Sequence, residues 1–250
     1  MSTCNHCGAT AVTISNFIGY CANCIKGRYY TVWPVIKAAH DETRRRYGFP
    51  TDPPRAEDGI SCPLCFQNCR IPEGSTGFCG IRRVKKGALR GGRPSEGNLS
   101  FYHDHLPTNC VADFVCPAGG DCGYPEYSVS KGPEYGYRNL AVFYQACSFN
   151  CLYCQNYHFR DGTFAPIRMT SEELVDCMDP RTTCICYFGG DPSPQILHAL
   201  HTSSLAIKRA RGRIMRICWE TNGSVQRPFL KKMVEMSLGS GGCIKFDVKA

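Results

Sequence analysis

The sequence predicts an α/β fold with a parallel sheet in its C-terminal half. Apolar runs rich in β-branched and aromatic residues alternate there with helix-like stretches, which is the pattern of βαβ units. Polar or glycine-rich clusters follow one predicted strand after another. Since the carboxyl ends of parallel strands lie at one edge of a sheet, we expect a functional site at that edge.

The individual elements follow from local patterns. The predicted strands are residues 140–144, 183–188, 214–219 and 244–248, and the predicted helices are 170–177, 194–209 and 228–236. Thr170 or Ser171 can cap the first of these helices, and two glutamates follow in its first turn. Nearer the N-terminus, residues 25–41 are helical in places but interrupted by Pro34. The basic, glycine-rich residues 86–97 predict a surface loop.

Three cysteines directly after the first predicted strand form the most informative motif. Cys147, Cys151 and Cys154 have the spacing C-x3-C-x2-C, and a compact loop of this kind can bring three thiolates onto one inorganic cluster. An iron–sulfur cube usually has four thiolate ligands. Three close ligands without an obvious fourth therefore indicate one iron left open for a small molecule. The alternatives are a zinc knuckle and a chance grouping in a cysteine-rich chain.

The N-terminus carries two CxxC pairs. Cys4 and Cys7 are separated by 13 residues from Cys21 and Cys24, which is the spacing of a zinc ribbon with closed tetrahedral coordination. His6 lies within the first pair and is an alternative ligand, although four cysteines already suffice. Since a closed site leaves no position for chemistry, we expect a structural or docking zinc module.

Four further cysteines lie within 18 residues, namely Cys62, Cys65, Cys69 and Cys79. Together they can wrap one ion, and zinc is the first expectation for a closed site with four thiolates. An auxiliary iron–sulfur cluster is the alternative. The spacing does not separate the two.

A third group combines histidines with cysteines. His103 and His105 would point the same way on an extended strand, and Cys110, Cys116 and Cys122 follow them. These residues either complete another metal site or are unliganded residues of an irregular segment. The sequence assigns none of the five as a ligand.

The amino-acid composition and the charge of the chain limit the class of protein to which it can belong. Cysteine accounts for 19 of 250 residues, the N-terminus is polar rather than of signal-peptide type, and no run of about 18 apolar residues occurs. We therefore expect a cytoplasmic metalloprotein without a membrane partner. The formal charge of +8 includes the short basic runs 44–46 and 82–86. Such runs are more often solvated faces than nucleic-acid contacts, so a nucleic-acid partner is not expected.

The order of the strand-end motifs resembles that of a known family. The cysteine loop follows the first strand, Gly-Gly-Asp-Pro at 189–192 the second, Glu-Thr-Asn-Gly at 220–223 the third, and Asp-x-Lys at 247–249 the fourth. This set is similar to the radical S-adenosylmethionine (radical SAM) superfamily. Within it, the chain most resembles the pyruvate formate-lyase-activating-enzyme-like branch, and residues 62–82 are similar to the front of its AmmeMemoRadiSam-type members. The resemblance covers about residues 60–250.

The resemblance implies a partial (β/α)6 barrel with a [4Fe-4S] cluster at its C-terminal mouth, held by Cys147, Cys151 and Cys154. The open iron would chelate the amino and carboxylate groups of S-adenosylmethionine. Reduction would then yield methionine and a 5'-deoxyadenosyl radical that removes a hydrogen atom from the substrate. The implied partners are an electron donor such as flavodoxin or ferredoxin and, in this branch, a protein substrate.

The resemblance also implies a set of cofactor-binding residues: Tyr153, Gly189, Gly190, Asp191, Glu220, Thr221, Asn222, Asp247 and Lys249. Tyr153 would lie beside the adenine, and the glycine pair would let the backbone approach the methionine amino group. Asp191 stands where the family usually has glutamate. The residues after the third and fourth strands would gather near a monovalent cation and the cofactor, with Lys249 paired with the cofactor carboxylate. Each could instead be a satisfied strand-end polar group.

These observations predict a domain order and a function. We expect a zinc-ribbon-like module at 1–50, a cysteine-rich segment with a second metal site at 51–135, and a radical SAM core at 136–250, with a proline-rich linker at 51–55. Four strand–helix units precede Ala250, so we expect a barrel truncated after its fourth strand. The predicted function is hydrogen abstraction by a radical SAM enzyme. The alternative is a non-catalytic zinc-binding interaction protein, which has no need of polar groups at strand ends.

Overall fold

The chain divides into two units. The computed structural model describes residues 1–120 and 125–249. One unit is Met1–Thr51 with Asn150–Tyr153, and the other is Asp52–Phe149 with Cys154–Ala250. Of the cysteine loop after the first parallel strand, Cys151 is in the stretch that groups with the first unit.

The first unit joins a small hairpin to two helices. Strand β1 (Ser2–Thr3) pairs antiparallel with β2 (Thr10–Ala11), and helices α1 (Ala22–Gly27) and α2 (Tyr29–Arg46) follow. The predicted interruption at Pro34 is wrong, since α2 runs through this residue. A proline inside a helix removes one backbone hydrogen bond. The carbonyl that loses its donor belongs to Tyr30, which is 90% exposed and so open to solvent.

Over its described residues, the second unit contains two short hairpins, a six-stranded sheet and five α-helices. The hairpins are β3 (Ile60–Ser61) with β4 (Arg70–Ile71) and β5 (Arg83–Lys85) with β6 (Ala88–Arg90). The sheet contains β7 (Glu96–His105), β8 (Arg138–Tyr144), β9 (Arg168–Thr170), β10 (Thr182–Phe188), β11 (Arg216–Thr221) and β12 (Ile244–Phe246). The helices are α3 (Pro117–Gly120), α4 (Phe159–Phe164), α5 (Ser171–Asp176), α6 (Ile196–Ala210) and α7 (Arg227–Ser240).

The sheet is mixed but mostly parallel, with the strand order β12-β11-β10-β8-β7-β9. Strands β8, β10, β11 and β12 run parallel, whereas β7 is antiparallel to both β8 and β9. The four predicted strands are confirmed as the parallel part, although β12 ends at Phe246 instead of residue 248. The sequence pattern does not predict the antiparallel extension by β7 and β9.

Helices α5, α6 and α7 cover one face of the sheet. Alternate strand residues such as Leu140, Tyr187 and Trp219 are fully buried in a core shared with apolar residues of these helices, as the period of two in a strand requires. The predicted start of α5 is confirmed. The Thr170 hydroxyl accepts the N–H of Glu173, and the Glu173 carboxylate accepts the N–H of Thr170, so the two form a capping box. No helix in the described part of the chain is long and apolar enough to cross a membrane.

The opposite face of the sheet, here called the inner face, carries polar side chains and thiols. Cross-strand register places Asp104, Asn139, Cys184 and Arg216 in one row, and Tyr102, Ala141, Cys186 and Cys218 in the next. Arg216 forms a bidentate ion pair with Glu134, in which the two N–O distances are 2.7 and 2.5 Å. Both side chains have no exposed surface. The inner face thus buries charged groups next to a small apolar cluster that includes Leu106 and Cys184.

The predicted surface loop at 86–97 is wrong, because β6 and the start of β7 lie within it. Lys86 and Gly87 form the turn between β5 and β6, with φ angles of 53° and 64°, and positive φ at both residues is typical of a type I′ hairpin. The Glu73 carboxylate accepts the N–H groups of Lys86 and Gly87 at 2.7 and 2.9 Å. Glu73 is 13 residues away from Lys86 in the chain, so the composition of residues 86–97 does not reveal the carboxylate that stabilises this turn.

Candidate active site

The carboxyl ends of β8, β10 and β11 bring three predicted loops together. Cys147 follows β8, the glycine pair follows β10, and Asn222 follows β11, and parallel strands end at the same edge of the sheet. Asp191 lies at the centre of this edge and is only 2% exposed. Its N–H donates to the carbonyl of Ala146 at 2.8 Å, which joins the loop after β10 to the start of the cysteine loop.

The Asp191 carboxylate extends this link to β11. Its oxygen atoms accept the N–H of Ser193 at 2.8 Å, the hydroxyl of Thr221 at 3.0 Å and the N–H of Asn222 at 2.7 Å. Burial raises the pKa of the Asp191 carboxyl, and these hydrogen bonds oppose the rise. Contacts of this kind hold neighbouring loops in place, so the structure favours a positioning role for Asp191.

Asn222 connects the third strand end to the cysteine loop. Its side-chain amide donates to Cys147 Sγ at 3.6 Å and to Ser148 Oγ at 3.0 Å. Its carbonyl oxygen accepts the N–H of Ser224 at 2.9 Å, and the hydroxyls of Ser148 and Ser224 are 2.5 Å apart. A partner that orients a ligating side chain in this way is typical of metal sites. The Cys147 thiol is thus oriented by the loop that follows β11.

The two glycines after β10 allow a close approach of main chains. Gly189 and Gly190 have φ angles of 66° and 57°, which side chains disfavour. A Cβ atom on Gly190 would lie 2.1 Å from the carbonyl oxygen of Tyr144 and 2.4 Å from that of Ala146. The glycine pair therefore brings this loop close to the end of β8.

Glu220 is paired with a lysine that the sequence motifs do not reveal. Lys245 Nζ lies 2.7 Å from the Glu220 carboxylate and 3.7 Å from Cys186 Sγ. Burial lowers the pKa of Lys245, but the charges of Cys186 and Glu220 outweigh it and raise the pKa overall. A single lysine in a short strand has no recognisable spacing, and only the register of β11 and β12 brings it to Glu220.

Asp247 and Lys249 follow β12 and form an ion pair with each other. The N–H of Asp247 donates to the carbonyl of Thr221 at 2.8 Å, whereas its side chain is 67% exposed. The main chain of Asp247 is thus tied to the third strand end, and its carboxylate faces solvent and Lys249.

The cysteines of the loop after β8 have intermediate exposure. Cys147 and Cys154 belong to the second unit, while Cys151 belongs with Tyr153 to the stretch that groups with the first. Tyr153 is 70% exposed, so its ring is available for a contact. Incompletely buried thiols are suitable donors for an iron–sulfur cluster.

The segment that carries these strand ends is similar to a known family. The family model described as Radical SAM superfamily matches residues 141–241. This segment is similar to the radical SAM superfamily. No curated protein and no solved structure matches the chain. The radical SAM match implies an enzyme that uses S-adenosylmethionine and, as is usual in this superfamily, a [4Fe-4S] cluster.

The N-terminal cysteines outside the radical SAM segment form a compact sulfur site. The Sγ atoms of Cys4, Cys7, Cys21 and Cys24 all lie within 4.8 Å of one another. Cys7 and Cys21 Sγ are 3.7 Å apart, close to the separation of about 3.8 Å expected for thiolates bound tetrahedrally to one zinc ion. The N–H groups of Cys7 and Cys21 lower the pKa of Cys4 to about 6, whereas burial raises the pKa of Cys24 to about 12. These residues fit a single metal ion.

The second predicted cysteine group lies beside the start of the radical SAM loop. Cys62, Cys65, Cys69 and Cys79 are all buried and line one small cavity together with Ser148. The Gln67 side chain donates to the carbonyl of Ser148 at 2.8 Å. Burial raises the pKa of Cys65 to about 12 and that of Cys79 to about 11. The spacing predicts the group but not its position next to Cys147.

Of the two alternatives for the group of histidines and cysteines, the described residues do not form a joint site of both. His103 Nε2 lies 2.9 Å from the carbonyl of Cys177, on the helix-covered face, because successive strand residues point to opposite faces. Cys110 and Cys116 instead pack with Leu106 and Cys184 on the inner side. Cys122 lies outside the described residues.

Proposed function

We propose that this chain is a radical SAM enzyme in which Cys147, Cys151 and Cys154 hold a [4Fe-4S] cluster. The family match over residues 141–241 supports this proposal. The observation that carries it is the hydrogen bond from the Asn222 amide to Cys147 Sγ. This bond joins the cysteine loop to a second strand-end motif, and a scaffold that only binds zinc would have no need of such an arrangement.

The chain's own residues would position and shield the reacting groups. When bound, the cluster and S-adenosylmethionine supply the reductive cleavage that yields a 5'-deoxyadenosyl radical for hydrogen abstraction. Asn222 would orient the Cys147 thiolate, and Asp191 would hold the loops after β8, β10 and β11 in fixed relation. We assign cofactor contacts to the remaining predicted residues: Tyr153, Gly189, Gly190, Glu220, Thr221, Asp247 and Lys249.

The finer parts of the proposal rest on the resemblance of the sequence motifs. We propose an activating-enzyme-like reaction on a protein substrate in the cytoplasm, with flavodoxin or ferredoxin as electron donor. The N-terminal module would hold zinc through Cys4, Cys7, Cys21 and Cys24 and serve as a docking module. The buried group of Cys62, Cys65, Cys69 and Cys79 would hold zinc or an auxiliary cluster. The parallel strands β8, β10, β11 and β12 would be the first four of the barrel.

The test is a cofactor and product measurement on the full-length protein purified without oxygen. We expect iron and sulfide in the protein, and 5'-deoxyadenosine after addition of reductant and S-adenosylmethionine. Cys151→Ala should abolish the product, whereas Cys177→Ala should retain it, because Cys177 follows α5 and its thiol donates to the carbonyl of Glu173, away from the cysteine loop.

Two results would contradict the proposal that this chain is a radical SAM enzyme. The first is a folded protein that contains zinc but no iron, which would favour the zinc-binding interaction protein. The second is product formation undiminished in Cys151→Ala.

A further inference from the structure

Several thiols lie on or beside the inner face of the sheet. Cys110 and Cys116 belong to the third group described above, and the others belong to none of the predicted metal groups. Cys184 and Cys186 lie on β10, Cys218 lies on β11, and Cys243 immediately precedes β12. All are free cysteines, and only Cys110 and Cys243 are not fully buried. Such a concentration of thiols on one face needs an explanation, because isolated buried cysteines are usually inert packing residues.

The register of the sheet places several of these thiols side by side. Cys186 is paired with Cys218 across β10 and β11. Trp219 is paired with Ile244 across β11 and β12, so the residues just before them, Cys218 and Cys243, are also neighbours on one face. Paired residues of adjacent strands point to the same side of a sheet. The fold therefore builds a row of sulfur atoms that the sequence spacing does not show.

Cys243 is the centre of this group. It lies beside Cys218 across β12 and β11, because the N–H of Trp219 donates to the carbonyl of Cys243 and Trp219 is paired with Ile244. Cys243 and Cys110 both pack against the cluster that contains Cys116. The fold therefore gathers Cys110, Cys116 and Cys218 around Cys243.

This group is separate from the strand-end site. Cys218 precedes Thr221 by three residues on β11, which corresponds to about 10 Å along a strand. The Glu220–Lys245 ion pair lies on the same face between Cys218 and the carboxyl edge. The radical SAM cysteines therefore do not account for these thiols.

We propose that Cys116, Cys218 and Cys243, with Cys110 as the fourth ligand, bind one zinc ion on the inner face of the sheet. Soft thiolate ligands select zinc or iron–sulfur clusters. The placement of these thiols around one residue, Cys243, favours a single ion, because the thiolates of a cube each bind a different iron. In the described part of the chain only the N-terminal set has all its sulfur atoms within 4.8 Å, so zinc binding here requires side-chain rotation, most readily by the half-buried Cys110.

Zinc at this site would have a structural effect on the sheet. It would tie the segment after β7 to β11 and to the start of β12 through Cys116, Cys218 and Cys243. Each thiol that becomes a ligand releases its proton. The site would thereby anchor β12, the strand at one end of the sheet, whose own ladder consists of three residues.

The experiment compares metal content in full-length variants purified without oxygen. We expect Cys116→Ser, Cys218→Ser and Cys243→Ser each to contain one zinc ion per chain fewer than the wild type, with iron and sulfide unchanged. Cys177→Ser is the matched control and should keep the full zinc content, because its thiol lies outside the group. Unchanged zinc in all three folded variants would overturn the site. Loss of iron and sulfide instead of zinc would overturn the single-ion assignment.

A second measurement uses the wild-type protein, so it does not depend on how well the variants fold. Thiols are alkylated with N-ethylmaleimide before and after treatment with a zinc chelator, and the labelled peptides are identified by mass spectrometry. Cys110 and Cys243 are partly exposed, so bound zinc is what should protect them, and we expect labelling only after chelation. Cys186 is 4% exposed and serves as the control for protection by burial. Immediate labelling of Cys110 and Cys243 would overturn the proposal.

Discussion

At the scale of single residues, we expect Asn222 to matter most for the reaction among the residues that are not proposed ligands of the cluster. Its amide orients both Cys147 and Ser148, and loss of such a partner typically costs 10- to 100-fold in metal affinity or activity. We expect Asn222→Ala to reduce the rate of 5'-deoxyadenosine formation by about 10- to 100-fold.

The control for this variant is Asn156→Ala, which removes an exposed amide close to the same loop. It should leave the rate near that of the wild type. Equal rates in Asn222→Ala and the wild type would show that the hydrogen bond to Cys147 has no role in the reaction.

Gly190 tests how closely the strand-end loops are packed. In Gly190→Ala the new Cβ would approach two backbone oxygen atoms to 2.4 Å or less at a positive φ. We expect a loss of roughly 3 kcal/mol in the free energy of unfolding. Gly212→Ala is a matched control, because Gly212 also has a positive φ, of 84°, but no atom lies within 4 Å of its Cβ position. Gly212→Ala should lower the free energy of unfolding by about 1 kcal/mol. Urea denaturation gives both values, and similar costs would contradict the close packing.

The buried pair of Glu134 and Arg216 should be the most costly ion pair to break. Glu134 also accepts the hydroxyl of Thr183 at 2.8 Å, so removal of its charge leaves Arg216 buried without compensation. We expect Glu134→Gln to lower the free energy of unfolding by about 3 to 5 kcal/mol. Arg209→Gln breaks an exposed pair with Asp176 and should cost less than about 1 kcal/mol. Comparable costs would mean that the burial of the Glu134 pair has no energetic consequence.

The same pair predicts a pH dependence. Burial raises the pKa of the Glu134 carboxyl, but the hydrogen bonds and charge of Arg216 outweigh it, so the pKa in the folded protein is lower than in the unfolded chain. The stability that Glu134 contributes is therefore complete above its unfolded pKa of about 4.3 and is lost as the pH falls through the lower folded value. The difference in urea midpoint between the wild type and Glu134→Gln should shrink only in that acidic range. A constant difference down to pH 2 would contradict this linkage.

At the scale of elements, the capping box of α5 contributes measurably to stability. Thr170→Ala removes the side-chain oxygen that accepts the N–H of Glu173, and loss of a helix cap costs about 1 kcal/mol. Glu173→Gln keeps a side chain that can still reach back to the N–H of Thr170, so its cost should be smaller. Thermal unfolding of the two variants measures the difference. A larger effect of Glu173→Gln would contradict the assignment of the cap to Thr170.

The elements that could be predicted are those whose signals are local. The two capping residues of α5 lie within a few positions of each other in sequence. Strands β8 and β10 are each a short continuous run that contains β-branched and aromatic residues. The pairing of β7 with β8 could not be predicted, since it joins Leu99 to Tyr144 across a long intervening segment. The helix through Pro34 also departs from the prediction, because one missing hydrogen bond at a solvent-exposed position is tolerated in α2.

At the scale of the whole molecule, the N-terminal unit should depend on its metal. Its buried apolar cluster contains Ile14 and two of the four cysteines, Cys4 and Cys24, so little core would remain without coordination. We expect chelation of zinc to increase hydrogen exchange strongly in residues 2–27, while Leu140 and Ile185 in the parallel sheet stay protected. Cys24→Ser should show the same increase without chelator. Unchanged exchange in residues 2–27 after metal loss would contradict a structural role.

The functional site divides in the same way into predictable and unpredictable parts. The spacing of Cys147, Cys151 and Cys154 and the motifs at the strand ends are visible in sequence because each motif is short. The ion pair of Glu220 with Lys245 and the thiol group around Cys243 depend on the register of three strands. Single residues such as Lys245, Cys218 and Cys243 have no spacing pattern, so only the fold brings them together.

The hydrogen bonds of Asp191 limit which amino-acid substitutions the loops around it can tolerate. One carboxylate joins the loops after β10 and β11, and the N–H of the same residue holds the start of the loop after β8. A substitution that moves any of these loops therefore displaces the other two. Directed evolution toward a new substrate should yield compensating pairs of substitutions in different loops, and single substitutions in one loop should seldom preserve activity.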